Sequence, residues 1–279
     1  MADEPEATAS NISPATPEDG SESLGDRDPT GPTAPEEPLE DEEMPLADHI
    51  EEMVKRLAVV VVVAGGITAI ALPFAEEVIN FLWNDIISIA EVGDQGRPRI
   101  YHPLALVLTE LKVASLAGII VALPIFVYQT YLFMRPGLYP HERRYYLAAV
   151  PTSLVLAFVG VSFAHFAVLP AIFTYFIYYT EGPTDLLAFG LTKTFNLILM
   201  LMGYLAVVFQ IPLFIMLAIM MGLTTRRWLA DRRLLFWGAF LGVSFLFTPD
   251  PTGMAPILTT ATMILLFEGT LLLLKWTGR

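Results

Sequence analysis

An all-α membrane protein with six transmembrane helices is the fold class this 279-residue sequence predicts, and three observations carry it. Apolar residues make up 54% of the chain and the mean hydropathy is positive, outside the range of ordinary soluble domains. Those residues come in runs long enough to cross a bilayer, which takes about 20 in a helix. The basic residues gather at alternate ends of the runs.

The acidity of the chain is local. Of its 29 Asp and Glu residues, 17 fall within residues 1–52, beside a single base, Arg27. Residues 53–279 hold 15 Lys and Arg against 12 Asp and Glu. Residues 1–44, rich in Pro, Glu, Asp, Ser and Thr, show no apolar periodicity and cannot bury enough surface to offset chain entropy. They are expected to form a disordered acidic cytoplasmic tail, either a solvating segment or a docking arm, with a membrane core over 45–279. No secretory leader is expected, because the first apolar run begins behind that polar tail. Cysteine is absent, which excludes disulfides, thiolate catalysis and Cys-based metal sites.

The first run is Leu57 to Phe74, "LAVVVVVAGGITAIALPF". The second spans Leu104 to Phe133, the third Tyr145 to Leu169 and the fourth Phe195 to Leu223. Leu234 to Phe247 is short for a full crossing, and the sixth runs from about Met254 to Leu274. One side of the membrane receives Lys55, Arg56, Arg135, Arg143, Arg144, Arg226, Arg227, Arg232, Arg233, Lys275 and Arg279. The other receives Arg97, Arg99 and Lys193, so both termini are expected in the cytoplasm. The outer connections are then residues 75–103, 170–194 and 248–253. In the first, "AEEVINFLWNDIISIA" places Val78, Phe81, Leu82, Asp85/Ile86 and Ile89 at near-helical spacing, which predicts an amphipathic helix on the outer surface.

Polar groups within spans are functional candidates because burying them is costly. Glu110 and Lys112 stand in the second span, Gln210 in the fourth and Glu268 in the sixth. Glu110 and Lys112, at i and i+2, point from different helix faces, and Lys112 can snorkel outward. Pro212 breaks the helix just after Gln210. That amide either satisfies the broken turn or hooks a partner helix. Glu268 lies near the inner end, within reach of a neutralising base. Enzyme motifs fail: "HERRY" lacks the second His of a zinc-protease helix, and neither a phosphate loop ending in Gly-Lys-Ser/Thr nor a Gly-x-Ser-x-Gly elbow is present. No internal repeat of the secondary-transporter kind is visible.

Six segments in order carry a resemblance. "DHIEEMVKRL" is similar to the HLxELRxRL pattern of the TatC family, the membrane receptor of the twin-arginine protein translocase. "ELKVASLAGIIVALPIFVYQTYLFMRPGLYPHERR" resembles that family's second span and first cytoplasmic loop. "FVGVSFAHFAVLP", "FQIPLFIMLAIMMGL", "FTPDP" and "LLFE" follow in its order. The chain departs from the pattern at Val54, where the family has Arg. His165 stands in place of Tyr, Gln210 in place of a frequent Glu, and Asn84-Asp85 in place of Pro-Leu.

The resemblance implies a curved, cup-like wall of six helices with short fifth and sixth spans. It implies a non-enzymatic receptor that binds twin-arginine signal peptides on the cytoplasmic face of the cytoplasmic membrane. With single-span partner subunits it would export folded proteins at the expense of the membrane potential or proton gradient. Signal-contacting carboxylates fall on Glu52 and Glu142, with His49 and Arg56 in the same first motif. A forked carboxylate suits a guanidinium far better than an ammonium. Phe133, Pro136, Gly137 and Leu138 would shape the first cytoplasmic loop, and Asp250 the outer turn. Gln210, Pro212, Lys112 and Glu268 are the intramembrane polar candidates, with partner subunits assembling around the fourth and fifth helices. Self-association is expected; no cofactor, metal or nucleic acid is implied. The rival reading is a small-solute or ion transporter using Lys112, Gln210 and Glu268.

Overall fold

A computed structural model describes residues 46–89, 98–135, 138–180, 190–248, 250 and 252–276; the side chains of 46–49, 86–89, 141, 142 and 180 lie outside that description. The expected acidic tail also falls outside it. From Leu57 to Ala71 the only polar side chain is Thr68, whose hydroxyl donates to the Ala64 carbonyl at 2.8 Å. Such a segment forms α1, Leu46–Ala71. Pro73 then tightens the backbone into a 3-10 turn, Leu72–Phe74, and the chain continues as α2, Ala75–Ile89. Glu76 and Glu77 in its first turn suit the positive helix end.

The next rods are α3, Ala105–Met134, and α4, Pro140–Phe163. After α4 a π turn, Ala164–Val168, leads into α5, Leu169–Thr180. Pro170 has no N–H to give to a carbonyl one turn back, and the π turn absorbs that defect without ending the rod. The third span was expected to stop at Leu169; it continues for three more turns because Leu169, Ile172, Phe173 and Ile177 form a buried stripe at helical spacing. The apolar stretches Ile50–Asp85 and Arg143–Tyr179 have 36 and 37 residues. At about 1.5 Å per residue both exceed a hydrocarbon core of about 30 Å. Their outer ends, α2 and α5, pack on each other.

The expected helix forms as α2, but its buried face is Ala75, Ile79, Leu82 and Trp83, while Val78 and Phe81 are exposed. Packing against α3, α5 and the Phe195 ring, 6.2 Å from Trp83, selects that face.

The fourth span is two helices, α6 Leu191–Val208 and α7 Ile211–Met220, hinged at Phe209–Gln210 ahead of Pro212. A short α8, Arg226–Asp231, is capped by Thr225, whose hydroxyl accepts from the Trp228 N–H at 3.2 Å. The fifth span, α9 Arg233–Phe247, has 15 residues, roughly 22 Å, and is short as expected. The sixth, α10 Met254–Trp276, has 23 residues, about 35 Å, so the expected shortness holds for the fifth span alone.

Packing runs along a wall: α1 on α3, α3 on α4 and α6, α4 on α6 and α7, α7 on α10, and α10 on α9. The centre of the wall is α6, where Phe195, Ile198, Leu205 and Ala206 have no exposed surface. Small residues let its neighbours close in. A Cβ on Gly118 would stand 2.5 Å from the Ala64 carbonyl of α1, and one on Gly160 2.6 Å from the Leu205 carbonyl of α6.

Candidate functional site

The face expected to be cytoplasmic is built first by α1. Four residues separate Glu52 from Arg56, so they share a helix face. Arg56 directs two N–H groups at one carboxylate oxygen: its Nη2 contacts Glu52 Oε1, and its Nε donates to the same atom at 3.1 Å. Both side chains are largely shielded, 23% and 30% exposed. The adjacent pair Lys55–Glu51, 2.7 Å apart, stands in solvent. His49 is on the first turns of α1, and its side chain lies outside the described residues.

The loop between α3 and α4 is anchored by an apolar plug. Leu138 is 4% exposed and packs with Val127, Tyr131, Tyr146, Ala149, Leu213 and Leu217, drawn from α3, α4 and α7. The Tyr131 and Tyr146 rings lie 5.9 Å apart, and the Tyr146 hydroxyl donates toward Met221 Sδ at 2.9 Å. Phe133 is half-buried at the end of α3. Arg143 Nη2 donates to the Arg135 carbonyl at 3.4 Å, so one base of this loop ties its two ends together. Pro136 and Gly137 lie outside the described residues, as does the side chain of Glu142. The backbone puts Glu142 in the first turn of α4, two residues after Pro140, where helix N–H groups favour a negative charge.

Within the membrane the polar candidates separate. Gln210 is 1% exposed and fully occupied inside the chain. Its Oε1 accepts from the Ser153 hydroxyl at 2.8 Å, and its Nε2 donates to the Ser153 and Ala206 carbonyls, both at 3.2 Å. The Gln210 N–H bonds to the Val207 carbonyl, three residues back, which frees Ala206 for the side chain. Of the two roles the sequence leaves open for this amide, these bonds serve the first: it bridges the break before Pro212 and binds α6 to α4. Lys112 is exposed, with Nζ donating to Asn196 Oδ1 at 3.2 Å. Both line a groove of about 710 Å³ between α3, α6, α9 and α10, which also holds Ser115, Tyr204 and Met263. Glu268, in the C-terminal half of α10, has Oε2 at 3.8 Å from Arg233 Nη1, the neutralising base its position called for.

Lys112, Gln210 and Glu268 thus belong to three local networks, one open, one sealed and one in the C-terminal half of α10. No hydrogen bond or ion pair among the described residues joins one of them to another. Asp250 is structural: Oδ1 accepts from the Thr252 N–H at 2.9 Å and hydroxyl at 2.7 Å, and Oδ2 from the Ala255 N–H at 2.8 Å, capping α10. The partners Ser153, Asn196 and Arg233 escaped sequence reading, since only the three-dimensional fold brings each to its counterpart. At the far end of the spans, Asp85 Oδ2 stands 2.8 Å from His165 Nε2, joining α2 to the π turn.

A model of the family described as Sec-independent protein translocase protein (TatC) matches residues 48–261. The Sec-independent protein translocase protein TatCo of Haloferax volcanii is 61% identical over 309 aligned positions, covering 99% of this chain and 69% of that protein. The TatC protein of Methanocella arvoryzae is 32% identical, over 86% of this chain and 97% of its own. A crystal structure described as the twin arginine translocase receptor TatC superposes with a TM-score of 0.71 at 25% identity, covering 83% of this chain and all of that one.

Proposed function

The chain belongs to the TatC family of Sec-independent protein translocase components, and from that premise we propose that its inner face is a receptor for a signal peptide carrying paired arginines. The observation that supports this most is Glu52, a shielded carboxylate already gripping two N–H groups of a guanidinium. A guanidinium offers several coplanar donors where an ammonium offers a point charge, so such a carboxylate distinguishes Arg from Lys. Glu142 supplies the second carboxylate from the start of α4, on a loop whose shape Leu138 and Arg143 maintain.

The wider reading follows the same premise. The protein is a multi-pass component of the cytoplasmic membrane with both termini inside, as the positive-inside rule requires. It works as a receptor, not as an enzyme. Single-span helical subunits assemble with it around the fourth and fifth spans, copies of the chain associate, and folded cargo crosses at the expense of the membrane potential or proton gradient. With Gln210 sealed, the groove along α6 and α9 is the surface open to such a helix.

The purified chain should bind a labelled paired-arginine peptide and lose most of that affinity when both arginines become lysines. Equal binding of the two peptides would refute the receptor reading. Saturable uptake of a small solute by vesicles holding the chain alone would favour the transporter instead.

A further inference from the structure

We propose that Arg56 is a built-in competitor for the guanidinium site, occupying Glu52 until a signal peptide displaces it; this rests on the reading of Glu52 as a signal-contacting carboxylate. The chemistry of the contact is what the ligand would use. Arg56 places Nη2 and Nε on Oε1 of Glu52, so a guanidinium from the chain itself fills the place a guanidinium from the peptide would take.

The neighbouring pair argues that this is more than an ordinary helix ion pair. Glu51 and Lys55 have the same spacing and order but are 64% and 73% exposed, with a single ammonium contact. Glu52 and Arg56 are turned to the shielded side of α1 and make a two-pronged contact. Among the described residues Oε2 of Glu52 accepts no hydrogen bond. An incoming guanidinium can therefore engage Oε2 first and take Oε1 as Arg56 leaves. Exchange then proceeds without a bare carboxylate at any point.

The consequence is a threshold. An internal competitor weakens every cationic ligand by one common factor, set by how strongly the internal pair forms. It leaves the preference for Arg over Lys unchanged and pushes weakly held basic segments below useful affinity. Glu before Arg at i,i+4 is the favourable order on a helix, and such pairs are individually weak, so the factor is small enough to be overcome.

The test is a titration of the full-length protein in lipid nanodiscs with a labelled paired-arginine peptide and its paired-lysine counterpart. Arg56→Gln should tighten both peptides by the same factor, about two- to fivefold. That gain should vanish in a Glu52→Gln background, and Lys55→Gln, which removes a neighbouring charge, should give less than half of it. Because the expected result is a gain, a damaged protein cannot imitate it. Unchanged or weaker binding by Arg56→Gln overturns the proposal, as does a gain that persists without Glu52 or is matched by Lys55→Gln. Failure of the underlying reading looks different: Glu52→Gln alone would then leave paired-arginine affinity untouched, and the competitor idea falls with it.

Discussion

Asp85 and His165 meet at 2.8 Å, from Oδ2 to Nε2, although 80 positions apart in the chain. The fold brings the two side chains together from α2 and the π turn. His165 is 5% exposed, stacked on Phe81 with ring centres 5.7 Å apart and edge-on to Phe166 at 4.7 Å. Asp85 ends the described side chains of α2, so the contact ties that helix to the π turn before α5.

Substitutions at the two positions should therefore be coupled. Asp85→Ala and His165→Tyr are each expected to destabilise by about 0.5–1 kcal/mol, since the contact is polar and Asp85, 41% exposed, is open to screening water. The double variant should lose less than the sum, with a coupling of at least about 0.5 kcal/mol. Thermal melts of the four proteins in one detergent measure it. Additive losses would mean that the two side chains act independently.

Gln210 is expected to be a folding residue. Gln210→Leu leaves the Ser153 hydroxyl and the Ala206 carbonyl without their partner in the protein interior. Unsatisfied buried groups cost about 1–3 kcal/mol, and measured interhelical bonds in membranes lie at or below the lower end of that range. Gln210→Leu and Ser153→Ala should both lower the melting temperature, while crosslinking to a partner helix falls only as far as folding does. A stable Leu variant that selectively loses partner crosslinks would restore the hook.

Much of this was legible in the sequence, for reasons that also explain the errors. Runs such as Leu57–Phe74 have no soluble alternative, so the spans and their order follow from hydropathy. Which face is buried does not follow, because lipid and protein interior are equally apolar, and in α3, α4 and α10 apolar side chains occur on every face of the spanning turns. On α2 the true stripe of Ala75, Ile79, Leu82 and Trp83 competes with Val78 and Phe81 one position away, and only the neighbouring helices decide between them. The apolar run read as the third span ends at Leu169, whereas Pro170 is accommodated by a π turn that leaves no local trace in the sequence and Ile172, Phe173 and Ile177 continue the helical spacing. At the inner face, Leu138 could be assigned to loop shaping from the motif, but its plug among Tyr131, Tyr146 and Leu213 is a property of the assembled fold.

The orientation gives a clean labelling experiment, because the chain has no cysteine of its own. Cysteines replacing Arg135 and Arg227 should be shielded from an impermeant reagent added outside intact cells. Cysteines replacing Tyr101 and Tyr178, which are 72% and 80% exposed, should react. Reaction at Tyr178→Cys also reports that α5 projects beyond the bilayer. Outside labelling at Arg135→Cys would contradict the assigned sidedness.

If Glu52 and Glu142 read the paired guanidiniums of a signal peptide, an equilibrium titration of Glu52→Gln and Glu142→Gln with a paired-arginine peptide will show it. Replacing a carboxylate by an amide keeps the shape and removes the charge-assisted bond, worth about 1–3 kcal/mol. Each variant should insert and melt like the parent chain yet bind about 5- to 150-fold more weakly, given that 1.4 kcal/mol is a factor of ten. Parental affinity in both variants would contradict the account.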